Sequence, residues 1–128
     1  MKASQILIID DDKGFASMTK LFLESKGEFE VACESDSRQA LQSAREQKPD
    51  LILLDIVMPH LDGGDVHAML SADSMLGRVP VIFLTSMVSQ EDNSEDPYVR
   101  SGGNVMLPKT TPPDQLMTCI QQKISGQI

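Results

Sequence analysis

Apolar and polar positions alternate along the chain between short unbroken runs and longer amphipathic stretches. Ile6 to Ile9 is a continuous apolar run closed by Asp10, Asp11 and Asp12, the pattern of a strand buried on both faces. A helix is predicted over Lys13 to Lys26, with Phe15, Met18 and Phe22 as its apolar positions and Gly27 as its stop. Phe29 to Cys33 reads as a second strand; its alternation with Glu30 and Glu34 predicts a sheet edge with one wetter face. Ser35 to Ser37 supplies caps for a helix carrying Ala40, Leu41 and Ala44, which ends before Pro49.

Leu51 to Leu54 is a third buried strand, closed by Asp55. A loop punctuated by Pro59, Gly63 and Gly64 leads into a short helix with Val66, Met69 and Leu70. Pro80 opens a fourth strand, Val81 to Leu84, which ends at Thr85. Between Ser86 and Gly103 the pattern is least regular, and Pro97 predicts that any helix there is short or broken. A fifth strand is predicted over Val105 to Leu107. Pro112 and Pro113 then open a last helix with Leu116, Ile120 and Ile124 on its apolar side. Five strand–helix units in series predict an α/β fold with a parallel sheet and helices on both faces. In such sheets ligands bind beyond the carboxyl ends of the strands.

Composition narrows the function. With 128 residues the chain is expected to form one domain over residues 1–128, with 41% hydrophobic and 23% charged residues. Eleven basic against nineteen acidic residues give a net charge of −8, which predicts neither a nucleic-acid partner nor an anionic-membrane partner. Apolar runs of four residues cannot span a bilayer. Two cysteines, Cys33 and Cys119, form no disulfide framework and read as small core residues; the expected setting is the cytoplasm. His60 and His67 have no metal-ligand spacing and read as a loop residue and a helix-surface residue.

The predicted strand ends collect chemistry. The first carries Asp10, Asp11 and Asp12, the third Asp55, and the fourth Thr85 and Ser86; Lys109 follows the fifth. Crowded carboxylates repel one another unless a cation lies among them. Their hard oxygen donors, with no His or Cys, suit Mg²⁺ or Mn²⁺ rather than zinc. A carboxylate beside such an ion can attack phosphorus. Phosphoryl transfer further needs a cation such as Lys109 and a hydroxyl such as that of Thr85 or Ser86.

At these residues the sequence resembles the receiver domains of two-component response regulators, over nearly its whole length. The segments that carry the resemblance are Ile6-Leu7-Ile8-Ile9-Asp10-Asp11, Asp55-Ile56-Val57-Met58-Pro59-His60-Leu61-Asp62-Gly63, Pro80-Val81-Ile82-Phe83-Leu84-Thr85-Ser86, and Lys109. The resemblance implies a flavodoxin-like (βα)5 three-layer sandwich with a five-stranded parallel sheet of order 2-1-3-4-5. It implies Asp55 as phosphoacceptor, with Asp10, Asp11, Asp55 and the Val57 carbonyl around Mg²⁺ or Mn²⁺. Thr85 would be the switch hydroxyl and Lys109 the phosphate-pairing lysine; Asp12 has no required role. The phosphoryl donor would be a sensor histidine kinase or a histidine phosphotransfer protein, and output would pass by protein–protein contact. Val57 and Met87, both apolar, would flank the path of attacking water and slow hydrolysis.

Two positions depart from the family pattern. Lys109 follows Pro108 and precedes Thr110, where the family usually has Lys followed by Pro. Met106 stands three before Lys109, where an aromatic is common, leaving Tyr98 as the nearest aromatic. These departures motivate an alternative, a receiver-like interaction module that is not phosphorylated. A hydrolase working through an aspartyl phosphate fits less well, because Asp55-Ile56-Val57 lacks the Asp-x-Asp pattern of such enzymes.

Overall fold

The computed structural model describes residues 3–86, 99–101 and 104–128, with only the backbone of 99–101. Five strands run parallel: β1 (Ser4–Ile9), β2 (Phe29–Glu34), β3 (Leu51–Asp55), β4 (Val81–Thr85) and, after the short β5 (Val99–Ser101), β6 (Asn104–Pro108). The sheet order is β2-β1-β3-β4-β6-β5. Its parallel part is the predicted 2-1-3-4-5 order. β5 is an addition, pairing antiparallel with β6 from Val99 opposite Met106 to Ser101 opposite Asn104. It is only three residues long and lies in the least regular stretch of the sequence. The predicted short or broken helix with Pro97, together with Met87 and Tyr98, lies outside the described residues.

Alternation along the buried strands divides the core in two. Ile6, Ile8, Leu51, Leu53, Ile82 and Leu84 point to a layer shared with Ala16 and Leu23 of α1 (Lys13–Glu24) and Leu116, Met117 and Ile120 of α4 (Pro113–Ile124). Leu7, Ile9, Ile52, Leu54, Val81 and Phe83 face Ala40 and Ala44 of α2 (Ala40–Gln47) and Val66 and Leu70 of α3 (Gly63–Ala72). Strands covered on both faces need no polar side, which explains their uninterrupted apolar runs. Among the described residues β2 pairs only with β1, and it alternates Phe29 and Val31 inward with Glu30 outward, as its edge position requires.

Two expectations need correction. Met18 is 73% exposed, and α1 packs through Ala16 and Leu23 with Phe15 and Phe22 flanking them. At about 100° per residue, Met18 lies past Phe15 on the side away from Ala16. The large apolar residues thus suggest one stripe, while the small Ala16 sets the contact. Cys119 is buried, as expected, but Cys33 is exposed on β2. Of the histidines, His60 is exposed at a positive φ of 71°, and His67 is half-buried with its ring edge against Phe83 at 5.4 Å.

Candidate functional site

Parallel pairing aligns the carboxyl ends of the strands. Ile9 is opposite Leu54, Asp55 opposite Leu84, and Thr85 opposite Pro108. Residues separated by nearly the whole chain therefore meet at one rim. Asp10 and Asp55 are buried, 2% and 5% exposed, while Asp11 faces solvent. One carboxylate oxygen from each of Asp10, Asp11 and Asp55 lies within 4.8 Å of the others.

Lys109 completes the cluster. Its Nζ is 2.8 Å from Asp10 Oδ2 and 3.5 Å from Asp55 Oδ2. Its backbone N–H donates to the Thr85 carbonyl at 3.0 Å, which continues the β4–β6 ladder one residue past Pro108. The Leu107–Pro108 bond is trans. The turn beyond is closed by Thr111, whose N–H and hydroxyl both donate to the Pro108 carbonyl, at 2.9 and 2.6 Å. The Pro-Lys-Thr order thus delivers the lysine to the rim without a proline after it. Thr85 is fully buried beside it, and Ser86 is exposed.

Three neighbours, Asp12, Ser37 and Gly63, hold the loops around the cluster. Asp12, without a required role in the family, is the N-cap of α1 and accepts from the Phe15 N–H at 3.0 Å. The Asp12 N–H in turn donates to Asp10 Oδ1 at 2.9 Å, tying the cap to the cluster. Ser37, read only as a helix cap, is buried; its hydroxyl donates to the Pro59 carbonyl at 2.7 Å and accepts from the Leu61 N–H at 3.1 Å. It pins the loop that carries Val57. Gly63 starts α3 against the end of β3, where a Cβ would stand 2.5 Å from the Asp55 carbonyl oxygen. Val57 itself is 56% exposed.

The electrostatics favour a cation. Burial and the Asp10 charge push the Asp55 carboxyl up to about 6, with Lys109 pulling the other way. Burial alone would lower the Lys109 pKa, but the hydrogen bond and charge of Asp10, followed by those of Asp55, raise it. One ammonium therefore serves two buried carboxylates with a third alongside. Three clustered carboxylate donors of this kind, without His or Cys, fit a hard divalent ion.

Beside the cluster, a groove of about 580 Å³ opens between α1 and α4, lined by Phe15, Met18, Leu21, Phe22, Lys109 and Leu116 among others. No helix among the described residues is long and apolar enough to cross a membrane.

The chain is similar to several known proteins. DNA-binding response regulator MtrA of Mycobacterium tuberculosis strain H37Rv is 34% identical over 120 residues, covering 94% of this chain and 50% of that protein. Response regulator Rre1 of Synechocystis is 28% identical over 122 residues, 95% of this chain and 52% of its own length. The chain spans about half the length of these curated relatives. Among solved structures, a putative response regulator from Chloroflexus aurantiacus aligns with a TM-score of 0.79 at 27% identity, covering 97% of this chain and 99% of that one. Chemotaxis protein CheY4 of Vibrio cholerae aligns with a TM-score of 0.79 at 26% identity, covering 95% and 99%. Residues 6–121 match the family described as the response regulator receiver domain, and the chain belongs to that family.

Proposed function

We propose that this domain receives a phosphoryl group on Asp55 in a two-component or phosphorelay system, in the cytoplasm. The observation that carries this reading is the buried Asp55 carboxylate set among Asp10, Asp11 and Lys109. In the reaction an Asp55 oxygen attacks phosphorus in line, the bond from phosphorus to the donor breaks, and the donor leaves with that electron pair. Asp10, Asp11, Asp55 and the Val57 carbonyl would hold Mg²⁺ or Mn²⁺. The bound ion supplies positive charge to the phosphoryl oxygens. Lys109 supplies a second, permanent charge, and Thr85 donates its hydroxyl hydrogen to a phosphoryl oxygen. The donor is a histidine kinase or a histidine phosphotransfer protein, and the phosphorylated form signals by shifting an existing equilibrium of contact surfaces.

The acidic composition describes the charge of this domain alone. The relatives named as DNA-binding response regulators are about twice as long as the stretch they share with it, so a nucleic-acid partner downstream is compatible with family membership. A receiver-like module that is never phosphorylated is the weaker reading: of its two motives, the altered lysine loop and the missing aromatic at Met106, the first still leaves Lys109 3.5 Å from Asp55. Intact-mass measurement after incubation with acetyl phosphate and Mg²⁺ tests the choice. One added phosphoryl group is expected, absent in Asp55→Ala and without metal. No adduct in the wild-type chain, with no beryllofluoride uptake either, makes the unphosphorylated module the better reading.

A further inference from the structure

The Lys109 ammonium has a third neighbour besides its two carboxylates: Nζ lies 4.9 Å from the centroid of the Phe15 ring. Position 15 is outside every motif that identifies the family in this chain. Its backbone is nonetheless fixed from two sides. The Phe15 N–H is capped by Asp12 at 3.0 Å, and its carbonyl accepts from the Thr19 hydroxyl at 2.8 Å. The ring packs half-buried against the core layer of α1 and α4.

We propose that Phe15 is a positioning residue for Lys109, its ring face holding the ammonium beside Asp55 while the ammonium exchanges its Asp10 contact for a phosphoryl oxygen. This rests on the reading of Asp55 as phosphoacceptor. The exchange is the reason a ring suits the task. In the unphosphorylated site the shorter lysine contact is to Asp10, 2.8 against 3.5 Å. Metal binding and phosphorylation both change what Asp10 and Asp55 offer to a cation. A hydrogen-bond acceptor in the place of Phe15 would compete with those oxygens and fix the direction of one N–H. A ring face attracts the ammonium through its quadrupole without taking up an acceptor geometry, so the three N–H groups stay free to change partners. Lysine otherwise brings a flexible four-carbon stem whose rotamer freedom has to be restricted. The ring also has a groove behind it. Phe15 and Lys109 both line the space between α1 and α4, so a shorter side chain at position 15 widens that space beside the ammonium and admits water to it.

The test is beryllofluoride affinity in saturating Mg²⁺, followed by ¹⁹F resonances of the bound anion, for wild type, Phe15→Leu, Phe15→Trp, Lys109→Met and the double variant Phe15→Leu/Lys109→Met. Leucine keeps an apolar group and removes the ring face; tryptophan keeps the face. Phe15→Leu is expected to bind about fivefold more weakly, the size of a partly desolvated cation–ring contact, and Phe15→Trp to stay within about twofold of wild type. In the Lys109→Met background the leucine substitution is expected to cost nothing further, because the group it positions is gone. The Lys109 side-chain ε-methylene resonances are expected to lose their ring-current shift in Phe15→Leu. Equal affinity for Phe15→Leu and wild type overturns the proposal, as does a loss that persists undiminished beside Lys109→Met, or a Phe15→Trp as weak as the leucine variant. No beryllofluoride binding by the wild type overturns the phosphoacceptor reading itself, and the proposal with it.

Discussion

Asp55 carries a charge that its surroundings oppose. Its folded pKa of about 6 stands above the value near 4 expected in an unfolded chain. The folded state therefore holds the proton more tightly. The ionised carboxylate costs stability once the pH rises above the unfolded value, and the full cost is reached above the folded one. We expect Asp55→Asn to be more stable than wild type at pH 7 in metal-free buffer, by roughly 2–3 kcal/mol. The difference should close as the pH falls from 6 to 4; denaturant melts of both proteins across that range measure it. At this scale the sequence marks the groups that meet at the rim better than it marks their supports. Asp10, Asp11, Asp55, Thr85 and Lys109 are placed by the strand ends, which apolar runs mark plainly. Ser37, Thr111 and Asp12 act on backbone groups far away or folded back, and a hydroxyl that grips a carbonyl 22 residues on leaves no pattern in a single sequence.

At the scale of elements, the contact between the end of β3 and the start of α3 is the tightest constraint near the site. A methyl group on Gly63 would meet backbone at 2.5 and 2.8 Å, atoms that cannot rotate aside. Gly63→Ala is expected to lose about 1–3 kcal/mol of stability, the range of overpacking. It should also slow phosphorylation by acetyl phosphate, since relief has to come from moving Asp55 and Ile56. Gly64→Ala is the control, because its Cβ meets only the Asp62 carboxylate at 3.3 Å. Denaturant melts and adduct formation by intact mass separate the two. The helices and strands themselves were readable, since periods of 2 and 3.6 are strong in strands and helices that bury long faces. The errors came where an element was very short, as in β5, or where alanine rather than a larger residue made the contact, as in α1.

For the whole molecule, a divalent ion held by the acidic cluster would couple binding to folding. A divalent ion that binds the folded acidic cluster and not the unfolded chain stabilises the protein by mass action, about 2.7 kcal/mol when Mg²⁺ is at a hundredfold over its Kd. We expect this gain in denaturant melts with added Mg²⁺, reversal by chelation, and its near disappearance in Asp11→Asn. The parallel sheet order was legible at this scale because four motifs in fixed sequence sit on alternating strands and helices.

The last parallel strand to be synthesised, β6, is also the one that brings in the counter-charge. A chain emerging from the ribosome has all of its rim carboxylates before residues 104–108 can pair with β4, and no lysine among them until that pairing is made. Until that pairing forms, the rim acids face one another without the ammonium that lies 2.8 Å from Asp10 and 3.5 Å from Asp55 in the folded domain. The charge balance of the rim is thus set by β6, the last of the parallel strands to pair.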